Sequence, residues 1–193
     1  MKKILLAIVL IISIYSCGST TNNQKWKVSY LVDEFGDSTT DKYVTTEKYL
    51  WGKFSNSATD NSKLKVQFVI TKTGESFNIG IDLYEYGSLK VKALSYDHPT
   101  SYSIRIKHND TPNNKFWCAE NEGDRMYVED CPYYYKNNEE IKKIAQDEKT
   151  FLNYLAKDGK LKISITEISG NPSKYKFELN TEELDLVTAL LQL

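Results

Sequence analysis

Leu64-Lys65-Val66-Gln67-Phe68-Val69-Ile70-Thr71-Lys72-Thr73-Gly74-Glu75-Ser76-Phe77-Asn78-Ile79-Gly80-Ile81-Asp82-Leu83-Tyr84-Glu85-Tyr86 decides the fold class. Leu64, Val66, Phe68 and Ile70 recur at every second position, so they lie on one face of a strand. Thr73-Gly74-Glu75 breaks the run. Phe77, Ile79, Ile81 and Leu83 then resume the same alternation. Two alternating runs joined by a short Gly-containing turn predict a β-hairpin with one face buried.

The same period extends outward. Residues 89–96 and 101–107 read as further strands, the latter with Tyr102, Ile104 and Ile106 inward. Residues 115–118 and 125–128 read as a short pair. Upstream, residues 25–32 alternate Trp26, Val28, Tyr30 and Val32 against polar neighbours. Residues 33–41 read as a loop, and residues 43–54 hold a strand with Leu50, Gly52 and Phe54 on one face. Trp26, Trp51 and Trp117 read as core.

The period changes after residue 137. Ile141, Ile144, Phe151, Leu152 and Leu155 recur at threes and fours, which predicts a helical segment near 138–157, broken near Asp147 and stopped by Asp158-Gly159. Strands resume at 161–168 and 175–179. A C-terminal helix is expected to follow, with Asn180 as its cap and Glu183 completing a capping box. The expected fold is mainly β: an antiparallel sandwich or open barrel with those two helical segments, in a single domain over residues 25–193.

Residues 1–16 have the form of an export leader: Lys2 and Lys3, then an apolar run from Ile4 to Ile14 broken only by Ser13. That run falls short of the roughly 20 residues a spanning helix needs. Ile14-Tyr15-Ser16-Cys17 resembles the lipobox of bacterial lipoproteins, with Tyr15 standing where a small residue is usual. The resemblance implies lipidation of Cys17, a tether over residues 17–24, and attachment to the cell envelope. Acidic residues directly after the cysteine are lacking, which favours the outer membrane facing the periplasm.

From Cys17 onward the chain holds 177 residues, with 23 Lys and Arg against 26 Asp and Glu. The two signs are interleaved. No basic stripe of the kind nucleic-acid binding needs is visible, so no nucleic-acid partner is expected. With Cys17 lipidated, Cys118 and Cys131 form an even pair in an exported chain, which predicts a disulfide.

Two further resemblances concern families. Asp33-Glu34-Phe35-Gly36-Asp37, Gly52-Lys53-Phe54-Ser55-Asn56-Ser57-Ala58 and Leu83-Tyr84-Glu85-Tyr86-Gly87 resemble words shared by uncharacterised bacterial envelope proteins. The pattern of residues 151–155, 161–165, 175–179 and the final helix is similar to the end of invasion-associated locus B proteins and of type VI secretion-associated VasI-like proteins. Both groups are exported and β-rich. The resemblances imply compartment and fold, and no activity.

Catalytic chemistry finds little support. His98 and His108 belong to no nucleophile motif and read as exposed loop residues. A glycosidase needs two carboxylates on one cleft, for which Asp33, Glu34, Asp37 and Glu85 are nominal candidates. Asp33, Asp37, Thr39 and Asp41 are the best oxygen set for calcium but lack the usual loop spacing. Tyr133, Tyr134 and Tyr135, beside Cys131, form the most conspicuous aromatic cluster and the expected binding surface for an envelope protein or glycan. The reading is a lipid-anchored, non-catalytic binding or structural module without metal or cofactor. An inhibitor or immunity protein acting on a periplasmic enzyme is the alternative, and a hydrolase is disfavoured.

Overall fold

The computed structural model describes residues 25–74, 76–92, 100–109, 111, 115–129, 148–191 and 193. The leader, Cys17 and its tether, His98, Cys131, Tyr133, Tyr134, Tyr135 and residues 138–147 of the expected helical segment lie outside them. Eleven strands are described: β1 (Trp26–Val32), β2 (Ser38–Thr46), β3 (Leu50–Ser55), β4 (Ser62–Thr73), β5 (Ser76–Glu85), β6 (Leu89–Lys90), β7 (Thr100–His108), β8 (Lys115–Glu122), β9 (Arg125–Glu129), β10 (Gly159–Glu167) and β11 (Lys174–Thr181). Two helices accompany them, α1 (Glu148–Leu155) and α2 (Glu183–Leu190).

The fold is mainly β, as the alternation predicts, and the barrel is the alternative it adopts. Every described pairing is antiparallel. Eight strands close a ring in the order β3-β4-β5-β9-β8-β7-β10-β11, with β11 returning to β3. β10 arrives after α1 and pairs beside β7, so β7 to β10 follow a Greek-key order. The predicted hairpin is the longest ladder, running from Leu64 opposite Glu85 to Thr73 opposite Ser76. β4 is long enough for its edge to serve two partners: residues 62–66 pair with β3, and residues 69–71 pair with β2. The β1–β2 hairpin therefore extends one end of the barrel.

Side-chain alternation puts the apolar set inside. Leu64, Val66, Phe68, Ile70, Ile79, Ile81, Ile104, Ile106, Ile163 and Ile165 are buried there. The aromatic rings set its width: Phe68 lies 6.1 Å from Phe177 and 6.5 Å from Phe151. α1 carries Phe151 and Leu155 into one end, and Phe151 meets Trp117 edge-on at 5.2 Å. At the other end Tyr175 donates its hydroxyl to Glu85 at 3.0 Å, with Tyr102 and Phe54 beside it. The outward face carries Lys, Arg, Glu and Ser, the reverse of a membrane-spanning barrel, whose outer belt is apolar. Among the described residues, no helix is long and apolar enough to cross a membrane.

Several local expectations differ from what is found. Residues 38–41 belong to β2, because they pair back toward Val32. Residues 43–54 hold parts of two strands. Tyr30 and Val32 are exposed because β1 runs past the end of the barrel, beyond the core that buries Trp26. Asn180 does not cap α2: β11 continues to Thr181, and Glu182 precedes the helix without a side-chain capping bond. Backbone pairing with β10, Lys160 opposite Asn180 and Gly159 opposite Thr181, outcompetes the cap.

Candidate functional site

The outer face of β4, β3, β11, β10 and β7 gathers cations that are scattered in sequence. Lys63 lies opposite Lys53, Lys53 opposite Lys176, Lys176 opposite Ser164, and Ser164 opposite Arg105. Four cations and one serine thus form a row across five strands. At about 4.8 Å per strand the row spans about 19 Å. A second row lies two residues along. Tyr84 is opposite Lys65 and Lys65 opposite Trp51; farther round the same face, Glu178 is opposite Lys162 and Lys162 opposite Lys107.

Like charges directly opposite one another destabilise a sheet. Here Lys63–Lys53, Lys53–Lys176 and Lys107–Lys162 are all such pairs. Among the described residues Lys53, Arg105, Lys107 and Lys176 form no salt bridge. The one carboxylate on this face, Glu178, already meets Lys160 at 2.7 Å. A groove of about 600 Å³ runs over the rows, lined by Trp51, Lys53, Arg105, Lys107, Lys162 and Lys176 among others. The sequence-level reading of no basic stripe is therefore corrected: strand pairing assembles one from residues up to 123 positions apart, from Lys53 to Lys176.

Trp51 is also corrected. It is 55% exposed, points outward from β3 and lines the groove. Lys63 Nζ sits 4.3 Å from its ring centroid. Next to it, Lys65 lies 4.2 Å from both Tyr49 and Tyr84, whose rings meet edge-on. These cation–π contacts hold two lysine heads at fixed places beside the groove. β3 can lie this close to β11 because residue 52 has no side chain. A Cβ at Gly52 would fall 2.2 Å from the Lys176 carbonyl oxygen.

A second charged region lies on β5, β6 and β9, and there Asp82, Lys90, Asp124 and Arg125 are matched to one another. Arg125 donates from Nε and Nη2 to the two carboxylate oxygens of Asp82 at 2.8 and 3.1 Å. Lys90 reaches Asp82 at 3.5 Å and Asp124 at 3.0 Å. The hydrogen bond to Asp82 raises the Arg125 pKa against the opposing effect of burial. Burial opposes the charge on Lys90, but the bond to Asp124 and the nearby Asp82 outweigh it and raise its pKa. The bond from Lys90 lowers the pKa of Asp124. Gly80 makes room for Arg125, since a Cβ there would lie 2.4 Å from Arg125 Cδ. This network locks β5 to β9, where only Gly80–Tyr127 and Ile81–Met126 continue the ladder.

Among the described residues, those singled out in the sequence do not converge on a reaction centre. Asp33 accepts hydrogen bonds from the Phe35 and Asp37 amides, each at 2.9 Å, so its carboxylate closes its own turn. Asp33, Glu34 and Asp37 sit at the tip of the β1–β2 hairpin, whereas Glu85 is at the opposite end of the barrel, bonded to Tyr175. No group of three or more His, Cys, Asp or Glu suited to a metal occurs among the described residues. His108 ends β7 half-buried, its Nε2 2.8 Å from the Asp158 carbonyl oxygen. Cys118 is fully buried on β8, opposite Glu129 of β9. Burial raises the pKa of both Tyr102 and Tyr175, so both hydroxyls stay protonated far into the alkaline range. No protein-family model, curated protein or solved structure matches the chain.

Proposed function

We propose that the chain is a lipid-anchored, non-catalytic binding module of the bacterial cell envelope, attached through Cys17 to the outer membrane facing the periplasm, and that its ligand side is the cation face of β3, β11, β10 and β7. The observation that carries the binding part is the opposed pair Lys53–Lys176, continued by Lys63 and Arg105 and uncompensated by any carboxylate in the row. A surface that served only solubility would interleave its signs, as the rest of this chain does. Four aligned cations, three of which line the groove, call for an anionic ligand.

The anchor and the cross-link belong to the same reading. Cys118 lies opposite Glu129, and Cys131 stands two residues farther along the sequence. A bond between Cys118 and Cys131 would fasten the chain leaving β9 to β8, and with it Tyr133, Tyr134 and Tyr135, a second proposed contact. The direct test uses detergent-solubilised full-length protein on a sulfated-dextran matrix. Wild type is retained at low salt, and a K53E/K176E variant flows through. Equal retention of both would refute the assignment of the binding face. Loss of palmitate labelling in Cys17→Ala tests the anchor separately.

A further inference from the structure

The shape of the array restricts the anion. The cations do not converge on one point, as they would around a lone phosphate or carboxylate. They run in a line across strands, about 19 Å from Lys63 to Arg105. A linear array fits a linear ligand with repeating negative groups. Trp51 adds a second requirement. It is an exposed, flat, apolar ring at the groove edge, with Lys63 over one face, and its remaining exposed surface suits a flat partner with an apolar face.

We infer that the groove binds an anionic polysaccharide, laid across β3, β11, β10 and β7 with one sugar ring on Trp51 and its acidic groups against Lys53, Lys176 and Arg105. The inference rests on the anion-binding reading above and deepens it. A single-stranded nucleic acid would also meet cations and an aromatic ring, but such sites stack successive bases on successive aromatic side chains. Among the described groove residues, Trp51 is the one exposed aromatic. A phospholipid surface could seat Trp51 at its interface, but it spreads its negative groups over a plane rather than along one line.

The test titrates detergent-solubilised full-length protein with polygalacturonate, neutral dextran, oligo-deoxythymidylate and phosphatidylglycerol vesicles. Polygalacturonate is expected to bind with an affinity that grows with chain length, and neutral dextran to give no binding. W51A should weaken polygalacturonate at least tenfold. K53Q/K176Q should weaken it further and flatten its salt dependence, with neither variant less stable than wild type. Oligo-deoxythymidylate or vesicles binding more tightly than polygalacturonate would overturn the polysaccharide. Polygalacturonate binding that W51A leaves unchanged but K53Q/K176Q abolishes would overturn the sugar-stacking inference and leave the anion reading standing. No binding to any polyanion would overturn both.

Discussion

Two charged patches on one barrel are built on opposite rules. On β5, β6 and β9, Asp82 is only 4% exposed and is held by Arg125 and Lys90, with Asp124 completing the set. On β4, β3, β11, β10 and β7, Lys63, Lys53, Lys176 and Arg105 are lined up with no carboxylate among them. The first patch joins strands whose ladder is short, so its charges substitute for missing backbone pairing. The second sits on ladders that are already continuous, such as the eight pairs between β10 and β11. Backbone pairing there tolerates side-chain repulsion of a few tenths of a kcal/mol per pair, about the size of a favourable cross-strand contact. The difference separates charges that hold the fold from charges that the fold only carries, the ones a ligand is proposed to meet.

The sharpest way to break this contrast is in the matched patch. Arg125→Met leaves the nearly buried Asp82 carboxylate without its two-pronged partner, and should destabilise the protein by about 3 kcal/mol in urea unfolding. A loss under about 0.5 kcal/mol would mean that the β5–β9 seam does not depend on the ion pair. Gly52→Ala comes next. Its Cβ collides with the Lys176 backbone, which cannot swing aside as a side chain can, so a loss of about 2 kcal/mol is expected together with weaker polyanion binding.

The alkaline limit concerns the barrel end rather than either patch. Tyr102 and Tyr175 have folded pKa values raised above their ordinary 10.0 by burial. Groups with raised folded pKa values contribute fully below the unfolded value. Stability should therefore be flat up to about pH 10, then fall by about 1.4 kcal/mol per pH unit for each tyrosine as the unfolded chain ionises. The Tyr84 pKa is raised by burial in the same sense, so Tyr175→Phe should make the fall shallower without removing it, which a set of urea titrations between pH 9 and 11 would measure. In the matched patch the signs bracket neutrality. Asp124, with its lowered pKa, contributes above its ordinary 3.8 and loses the contribution as pH falls through the folded value. Lys90, with its raised pKa, contributes below 10.5 and loses it as pH rises through the folded value.

The architecture was largely legible in the sequence because burial imposes a period of two. Leu64, Val66, Phe68, Ile70, Ile79, Ile81 and Leu83 sit in the core as the alternation requires, with Phe77 half-buried against it, and Tyr175, Phe177 and Leu179 follow the same rule. Ring closure was less legible, since the β5–β9 and β3–β11 pairings join segments whose local patterns carry no address. The cation face was not legible. Lys53, Arg105 and Lys176 are each ordinary outward residues of an alternating strand, and only strand order makes them neighbours. In the sequence Trp51 reads as core because large aromatics are usually buried. A period-two count would have found it, since Leu50 and Phe54 face inward and residue 51 must face out.

Salt gives the smallest effect and separates the patches again. Raising ionic strength from about 0.01 to 0.15 M shortens the Debye length from about 30 to 8 Å. Screening should relieve repulsion along the cation rows and leave the nearly buried Asp82–Arg125 pair unchanged, for a net gain of about 0.5 kcal/mol in urea unfolding. A K53Q/K176Q variant should lose most of that gain.

The central claim is that Lys53 and Lys176 are present for a ligand and not for the fold. The most direct measurement is the urea midpoint of wild type and K53Q/K176Q at low salt, each with and without polygalacturonate. A ligand that binds only the folded state raises the midpoint by mass action. The account predicts that the variant alone is at least as stable as wild type, and that polygalacturonate raises the midpoint of wild type and not of the variant. A variant that is less stable without ligand, or that is shifted by ligand as much as wild type, would contradict it.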